Sequence, residues 1–129
     1  MPPEIPSQDI ALVLFLLILF NVKHFLADYV FQTSYMLPKV NAKHWFRPLL
    51  AHCGVHGALT WFVTFLPIGV WAFLIAALDM LIHFVVDYWK AQIARYPLNS
   101  RPFWIAFGAD QLLHSLTYIA LAYITVKLL

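Results

Sequence analysis

The chain has 129 residues, of which 63% are hydrophobic and only 11% are charged, with a formal net charge of +2 and a mean hydropathy of +0.77. Soluble domains contain about 45–50% apolar and about 25% charged residues. The composition therefore excludes a water-soluble globular enzyme, a disordered chain and a nucleic-acid-binding domain, and it predicts an integral membrane protein.

Four apolar segments follow one another along the chain, and each is long enough for a membrane crossing of about 20 residues. They cover about residues 10–33, 48–68, 70–94 and 102–128. Pro48 and Pro102 fit the first turn of a helix, and Pro67 to Gly69 form a breaker between the second and third segments. We therefore predict an all-α fold, an integral membrane four-helix bundle, in a single domain of residues 1–129.

Basic residues mark the two long connections between these segments, whereas the short breaker has no charge. The basic residues are Lys39, Lys43, Arg47, Lys90, Arg95 and Arg101. By the positive-inside rule, both long connections face the cytoplasm and both termini lie outside.

A repeated motif relates the two halves of the chain. The string HFLADY, from His24 to Tyr29, matches HFVVDY, from His83 to Tyr88. The second and fourth segments also carry a matching polar pair at equivalent positions. Because a two-helix repeat keeps its orientation, we predict two helix pairs related by a pseudo-twofold axis along the membrane normal.

Each predicted span carries two polar residues at i and i+4, which lie on one face of a helix. The pairs are His24 and Asp28, His52 and His56, His83 and Asp87, and Asp110 and His114. Ionisable residues inside a span are costly, so a functional role is the default interpretation. Because the chain direction alternates, the pairs predict two layers. The deeper layer contains His24, His56, His83 and His114, and the shallower layer contains Asp28, His52, Asp87 and Asp110.

Imidazole and carboxylate groups in this pattern favour a metal centre. They are common ligands of zinc and iron, and four-helix bundles that bind two metals place them on facing helices. We predict that the eight residues bind a divalent transition metal, Zn or Fe, as one ion or two. We expect further hydrogen bonds to the ligands from Asp79, Asn21, Thr60 and Gln111. A catalytic base, if it is not a ligand, would be Asp28, Asp87 or Asp110.

The same motifs resemble a bacterial membrane family known as domain of unknown function 3307. They run from Lys23 to Gln32, from His52 to His56, from His83 to Tyr88 and from Asp110 to His114. The resemblance covers about residues 20–120 and implies a bacterial inner-membrane location, but it implies no reaction. The motifs are also loosely similar to small membrane-bound metal-dependent hydrolases.

The sequence leaves several functions open. The first is an intramembrane metalloenzyme, a hydrolase or oxidase of a lipid-like substrate. The second is a divalent metal-ion transporter, although the predicted outer halves of the spans contain no second set of polar ligands for a transported ion. The third is a b-type haem or quinone protein, and the fourth is a structural protein whose polar pairs join helices. Membrane lipids are the predicted partners, nucleic acid is not, and a homo-oligomer is open.

Overall fold

The computed structural model describes residues 7–129, and residues 1–6 of the predicted domain lie outside the described residues. The described part is all-helical, as predicted, and contains no strand. Its four α-helices are α1 (Ser7–Phe25), α2 (Phe46–Ile68), α3 (Ala72–Tyr88) and α4 (Arg101–Lys127). One π-helical turn, Leu26–Val30, extends α1, and another, Trp89–Ile93, extends α3. Short 3-10 segments, Leu37–Val40 and Gly69–Trp71, lie in the connections.

Local signals in the sequence explain where the helices end. Gly69 follows α2 with a φ of 54°, a conformation that glycine adopts without the steric cost of a side chain. The chain therefore turns directly into α3, and the break lies at Gly69, since Pro67 and Ile68 of the predicted breaker still belong to α2. At the start of α4, the Ser100 side chain accepts a hydrogen bond from the Phe103 backbone N–H at 3.3 Å, and Pro102 occupies the first turn.

The helices form one packed body in which α2 packs on α3 and α1 packs on α4, with further contacts between α1 and α2 and between α3 and α4. Gly57 lies where α2 approaches α3, because a Cβ atom there would be 3.2 Å from Met80 Cβ. An apolar core fills the half that contains the turn between α2 and α3. It contains Leu16, Phe20, Ile68, Ala72, Ile75, Tyr118, Leu121 and Ala122. The predicted polar residues are left in the other half.

Two helical segments, Ser7–Val30 and Phe46–Ile93, are long and apolar enough to cross a membrane. The second of these contains both α2 and α3. The predicted fourth span forms a helix, α4, but it is not among the segments that meet this criterion. Its polar residues, which include Asp110 and His114, lower its mean hydropathy, and both of these are buried.

Candidate metal centre

The deeper layer of histidines converges from all four helices. The ring centroids of His56 and His83 are 3.8 Å apart, and those of His83 and His114 are 4.1 Å apart. His24 lies 5.2–5.9 Å from these three rings. Those three histidines are at most 2% exposed. The structure therefore brings together the four side chains that the spacing placed at one depth.

The carboxylate of Asp28, in the π-helical turn after α1, lies against three imidazoles. Its oxygens are 3.1 Å from His24 Nε2, 3.4 Å from His52 Nε2 and 3.0 Å from His56 Nε2. A π-helical turn shifts the side chains that follow it relative to a regular helix, and such turns are frequent at functional sites. One carboxylate therefore links α1 to the two histidines of α2.

Asp87 and Asp110 make the corresponding contacts in the second half of the chain. Asp87 lies 3.1 Å from His114 Nε2 and 3.2 Å from His52 Nε2. Asp110 lies 3.4 Å from His114 Nε2. The contact between Asp87 and His52 joins the two halves, so the eight predicted ligands form one continuous group, which we call the polar cluster.

Two groups of three within the polar cluster have ligand atoms within 4.8 Å of one another and share no residue. Triad A consists of Asp28, His52 and His56, and triad B consists of Asp87, Asp110 and His114. Each position of triad A corresponds to a position of triad B in the sequence repeat. A third group of His24, His56 and His83 meets the same distance limit and shares His56 with triad A. Two of the three spatial groups therefore coincide with the two halves of the internal repeat, whereas the third joins the halves through His24 and His83.

The residues of both triads fit a divalent transition metal. Metal bonds of about 2.0–2.1 Å in a tetrahedron place neighbouring ligand atoms roughly 3.3 Å apart. The contacts between carboxylate and imidazole in the triads measure 3.0–3.4 Å. In triad B, Asp110 Oδ1 and His114 Nδ1 are buried without a hydrogen-bond partner, as is His52 Nδ1 in triad A. An unpaired buried carboxylate oxygen is costly, and a cation would remove that cost.

The comparison with family models found a match to a family described as a protein of unknown function, DUF3307, over residues 14–129. The chain belongs to this family. The resemblance seen in the sequence motifs is thereby confirmed, and the matched region of this DUF3307 chain contains the whole polar cluster. No match was found among curated proteins or solved structures.

Asp79 lies at the centre of a buried group of polar side chains in the DUF3307 chain. Its carboxylate accepts hydrogen bonds from Lys23 Nζ and Thr60 Oγ1, both at 2.5 Å, and it lies 3.0 Å from His83 Nδ1. Asp79 is 0% exposed and Lys23 is 3% exposed. Because this carboxylate engages Nδ1, the Nε2 atom of His83 is the one that faces the polar cluster.

The other predicted supporting residues differ in their placement. Gln111 Oε1 lies 3.3 Å from His24 Nε2, so this side chain reaches the polar cluster. Asn21 does not reach it, and the supporting role predicted for this residue is not met. Its side chain is exposed and donates to the Leu17 carbonyl of its own helix at 2.8 Å. Periodicity did not reveal that the Asn21 face of α1 points away from the other helices.

Tyr118 and Lys39 contact the polar cluster and were not among the site residues predicted from the sequence. The Tyr118 hydroxyl lies 2.6 Å from His24 Nδ1 and 3.2 Å from His83 Nε2. Tyr118 stands at the next i+4 position after His114, so extending the polar series along α4 would have found it. Lys39 Nζ donates to Asp87 at 3.1 Å, but it belongs to a connection, where no periodicity predicts a direction.

A cavity of about 770 Å³ opens onto the carboxylates of both triads. Asp28, Asp87 and Asp110 lie in its wall. Its cationic residues are Lys39, Lys90 and Arg95, and its apolar ones include Val40, Ala91, Ala94, Leu98, Phe103 and Phe107. The cavity reaches the surface at Val40 and Leu98, which are 55% and 79% exposed. A ligand could therefore approach the carboxylates from this end of the protein.

Proposed function

We propose that this protein spans the bacterial inner membrane as a four-helix bundle and holds divalent transition metal on triads A and B, as a metalloenzyme for a lipid-like substrate. The observation that carries the metal proposal is the agreement between the sequence repeat and the two spatial triads. Sets of carboxylate and imidazole ligands on facing helices are the way in which helical bundles hold two metals.

The distribution of side chains supports the membrane part of the proposal. Large apolar side chains are exposed on every helix, for example Ile18 at 61%, Phe62 at 67%, Phe73 at 63% and Leu112 at 59%. Acidic and basic side chains near the middle of the helices are instead buried, for example Lys23 at 3%, Asp79 at 0% and Asp110 at 3%. α2 has 23 residues, about 34 Å of helix, which is enough to cross a hydrocarbon core of about 30 Å.

The same distribution explains why α4 has too low a mean hydropathy to meet the spanning criterion. Its polar residues Asp110, His114 and Thr125 are at most 3% exposed, whereas Ile105 and Ile119 are 61% and 53% exposed. The face that α4 would present to lipid is therefore mainly apolar, and the hydroxyl of its exposed Ser115 donates to the Gln111 carbonyl of the same helix. A helix of this kind crosses a membrane when its polar groups face the bundle interior.

Cysteine labelling tests the proposed topology. Cys53 is 0% exposed, and replacing it by serine leaves a chain without cysteine. In that background, a membrane-impermeant thiol reagent should label Asn41→Cys only from the cytoplasmic side and Val70→Cys only from outside, because α2 separates the two positions. Val70 is 72% exposed, and Asn41 is also exposed. Labelling of both positions from one side would contradict a membrane-spanning α2.

The apolar core favours an enzyme over a transporter. Leu16, Ile75 and Leu121 are at most 1% exposed and belong to the packed half beyond the histidines. A transported cation would have to cross this packed apolar region, whereas a substrate could reach the carboxylates through the cavity at the other end. The close stacking of His56, His83 and His114 also argues against a haem macrocycle between these rings.

A bound zinc or iron ion would supply Lewis-acid chemistry, and iron would also supply redox chemistry. Among the described residues, Asp28 is the carboxylate of the triads with no lysine ammonium within 4.0 Å, since Lys39 binds Asp87 and Lys90 binds Asp110. Asp28 also lines the cavity. Asp28 is therefore the triad carboxylate that is most accessible to a substrate, with 21% of its side chain exposed against 9% for Asp87 and 4% for Asp110.

Metal analysis of the purified protein tests the proposal. After stripping and reconstitution with Zn²⁺ or Fe²⁺, the chain should retain roughly two ions, as dinuclear bundles do. Combined replacement Asp28→Asn and Asp87→Asn should abolish retention, whereas His44→Gln should have no effect, because His44 is exposed in a connection. A wild-type chain that retains no transition metal would refute the metal centre. Metal uptake into proteoliposomes would favour the transporter instead.

A further inference from the structure

We propose that the cavity binds the phosphate group of an amphipathic substrate, with Lys39 and Lys90 as its principal contacts and the apolar wall holding the attached chain. This inference rests on the proposed function, because it names the substrate class for the same centre. The distribution of charged side chains around the cavity supports this inference.

The two lysines bind the oxygens of triad B that do not face its histidine. Asp87 directs Oδ1 to His114 and Oδ2 to Lys39. Asp110 is arranged in the same way, with Oδ1 towards His114 and Oδ2 bonded to Lys90. The ammonium groups therefore bind the oxygens on the cavity side of the carboxylates, and the oxygens directed to His114 are the ones that would bind a cation.

The ammonium groups of Lys39 and Lys90 have N–H donors that no described residue accepts. A lysine ammonium carries three N–H donors, and within the described residues Lys39 and Lys90 each donate one hydrogen bond, both of 3.1 Å. The Arg95 guanidinium, also in the cavity wall, donates to the Val40 carbonyl at 3.2 Å. The remaining donors can serve the several acceptor oxygens of one phosphate group.

The balance of charge around the centre also favours an anion. The three triad carboxylates and Asp79 already have three ammonium partners in Lys23, Lys39 and Lys90. Divalent cations on both triads would make the group strongly positive. A phosphate at the cavity wall would offset this excess, whereas a cationic or neutral head group would not.

The rest of the cavity suits a hydrocarbon chain. Its walls include Val40, Leu98, Phe103 and Phe107, and its volume of about 770 Å³ lies within the usual range for small-molecule sites. In the proposed topology the cationic side is at the cytoplasmic interface, where the phosphate groups of lipids lie. A phosphate with an alkyl chain therefore matches both the polar and the apolar parts of the site.

Binding of octyl phosphate to the purified protein in a non-ionic detergent tests this inference by calorimetry. We expect binding of octyl phosphate, much weaker binding of inorganic phosphate and none of octyltrimethylammonium. Lys39→Met and Lys90→Met should each weaken octyl phosphate binding by about tenfold or more, the effect of losing a charge-assisted hydrogen bond. Lys43→Met is the matched control, because Lys43 is exposed in the same connection as Lys39 and is not in the cavity wall.

The outcomes separate this inference from the metal proposal, provided that metal content and helix content are measured on every variant. Lys39→Arg and Lys90→Arg should restore binding, which distinguishes a charge contact from a folding defect. If Lys39→Met and Lys90→Met both keep their metal and bind octyl phosphate as tightly as the wild-type chain, the phosphate inference is wrong and the metal proposal is unaffected. Equal affinity for inorganic phosphate would overturn its lipid part. If octyl phosphate binding depends on the two lysines but no preparation contains metal, the metal proposal is wrong and the phosphate contacts are supported.

Discussion

Replacing His52 by glutamine, or Asp110 by asparagine, should remove about one of the roughly two bound ions and leave the other in place. The two residues occupy the same position of the sequence repeat, one in triad A and the other in triad B. Because the triads share no residue, each substitution damages one half-site. The double variant should retain almost no metal, as measured by elemental analysis after stripping and reconstitution.

The repeat offers an internal control for this experiment. Asp110→His converts the ligand set of triad B into that of triad A, so this variant should keep both ions. A loss of all metal in each single variant would contradict two independent half-sites and indicate one centre shared by all eight ligands. The contact of His52 with Asp87, which is 3.2 Å long, and the stacking of His56 on His83 join the halves and would be the physical cause of that outcome.

Replacing Lys23 by methionine should destabilise the protein by about 3–5 kcal/mol, which is the usual cost of leaving one partner of a buried ion pair alone. The ammonium donates to Asp79 at 2.5 Å, and both side chains are at most 3% exposed. Without it, the carboxylate keeps only Thr60 and His83 as partners. Equilibrium unfolding in mixed micelles, followed by circular dichroism, measures the free-energy difference.

A double-mutant cycle makes this second prediction specific to the ion pair. Lys23→Met combined with Asp79→Leu should be more stable than Lys23→Met alone, because no buried charge is then left without a partner. Lys127→Met is the control for loss of a lysine, since Lys127 lies near the end of α4 over the Tyr123 ring. We expect its effect to stay within about 0.5 kcal/mol. If Lys23→Met and Lys127→Met lower the free energy of unfolding by the same amount, the buried ion pair has no structural role.

The existence of the helices and the pairing of polar residues along each helix could be predicted because both depend on local periodicity. The i and i+4 spacing of Asp110 and His114, for example, puts both on one face of α4 whatever lies opposite. The helix ends could also be predicted from local sequence, because Gly69 and Pro102 act through their own backbone geometry. Predicted and described boundaries differ mainly where π-helical turns replace the last regular turns of the first and third segments.

Contacts between helices could not be predicted in the same way. Asn21 precedes His24 by nearly one turn, yet its side chain is exposed, because the rotation of α1 against its neighbours determines which face is buried. Lys39 reaches Asp87 only because the connection after α1 folds back over the polar end. No spacing rule covers such a contact, since an irregular connection has no period.

The sequence by itself determined an all-helical chain with two repeated halves and a polar pair on each helix, since these properties follow from composition and from the geometry of a single helix. Only the tertiary structure decided how the polar residues divide between triads A and B, that lysines bind Asp87 and Asp110, and that a cavity opens onto the carboxylates. The physical reason is that charge pairs and ligand groups act over about 3–4 Å, a distance set by the packing and rotation of whole helices.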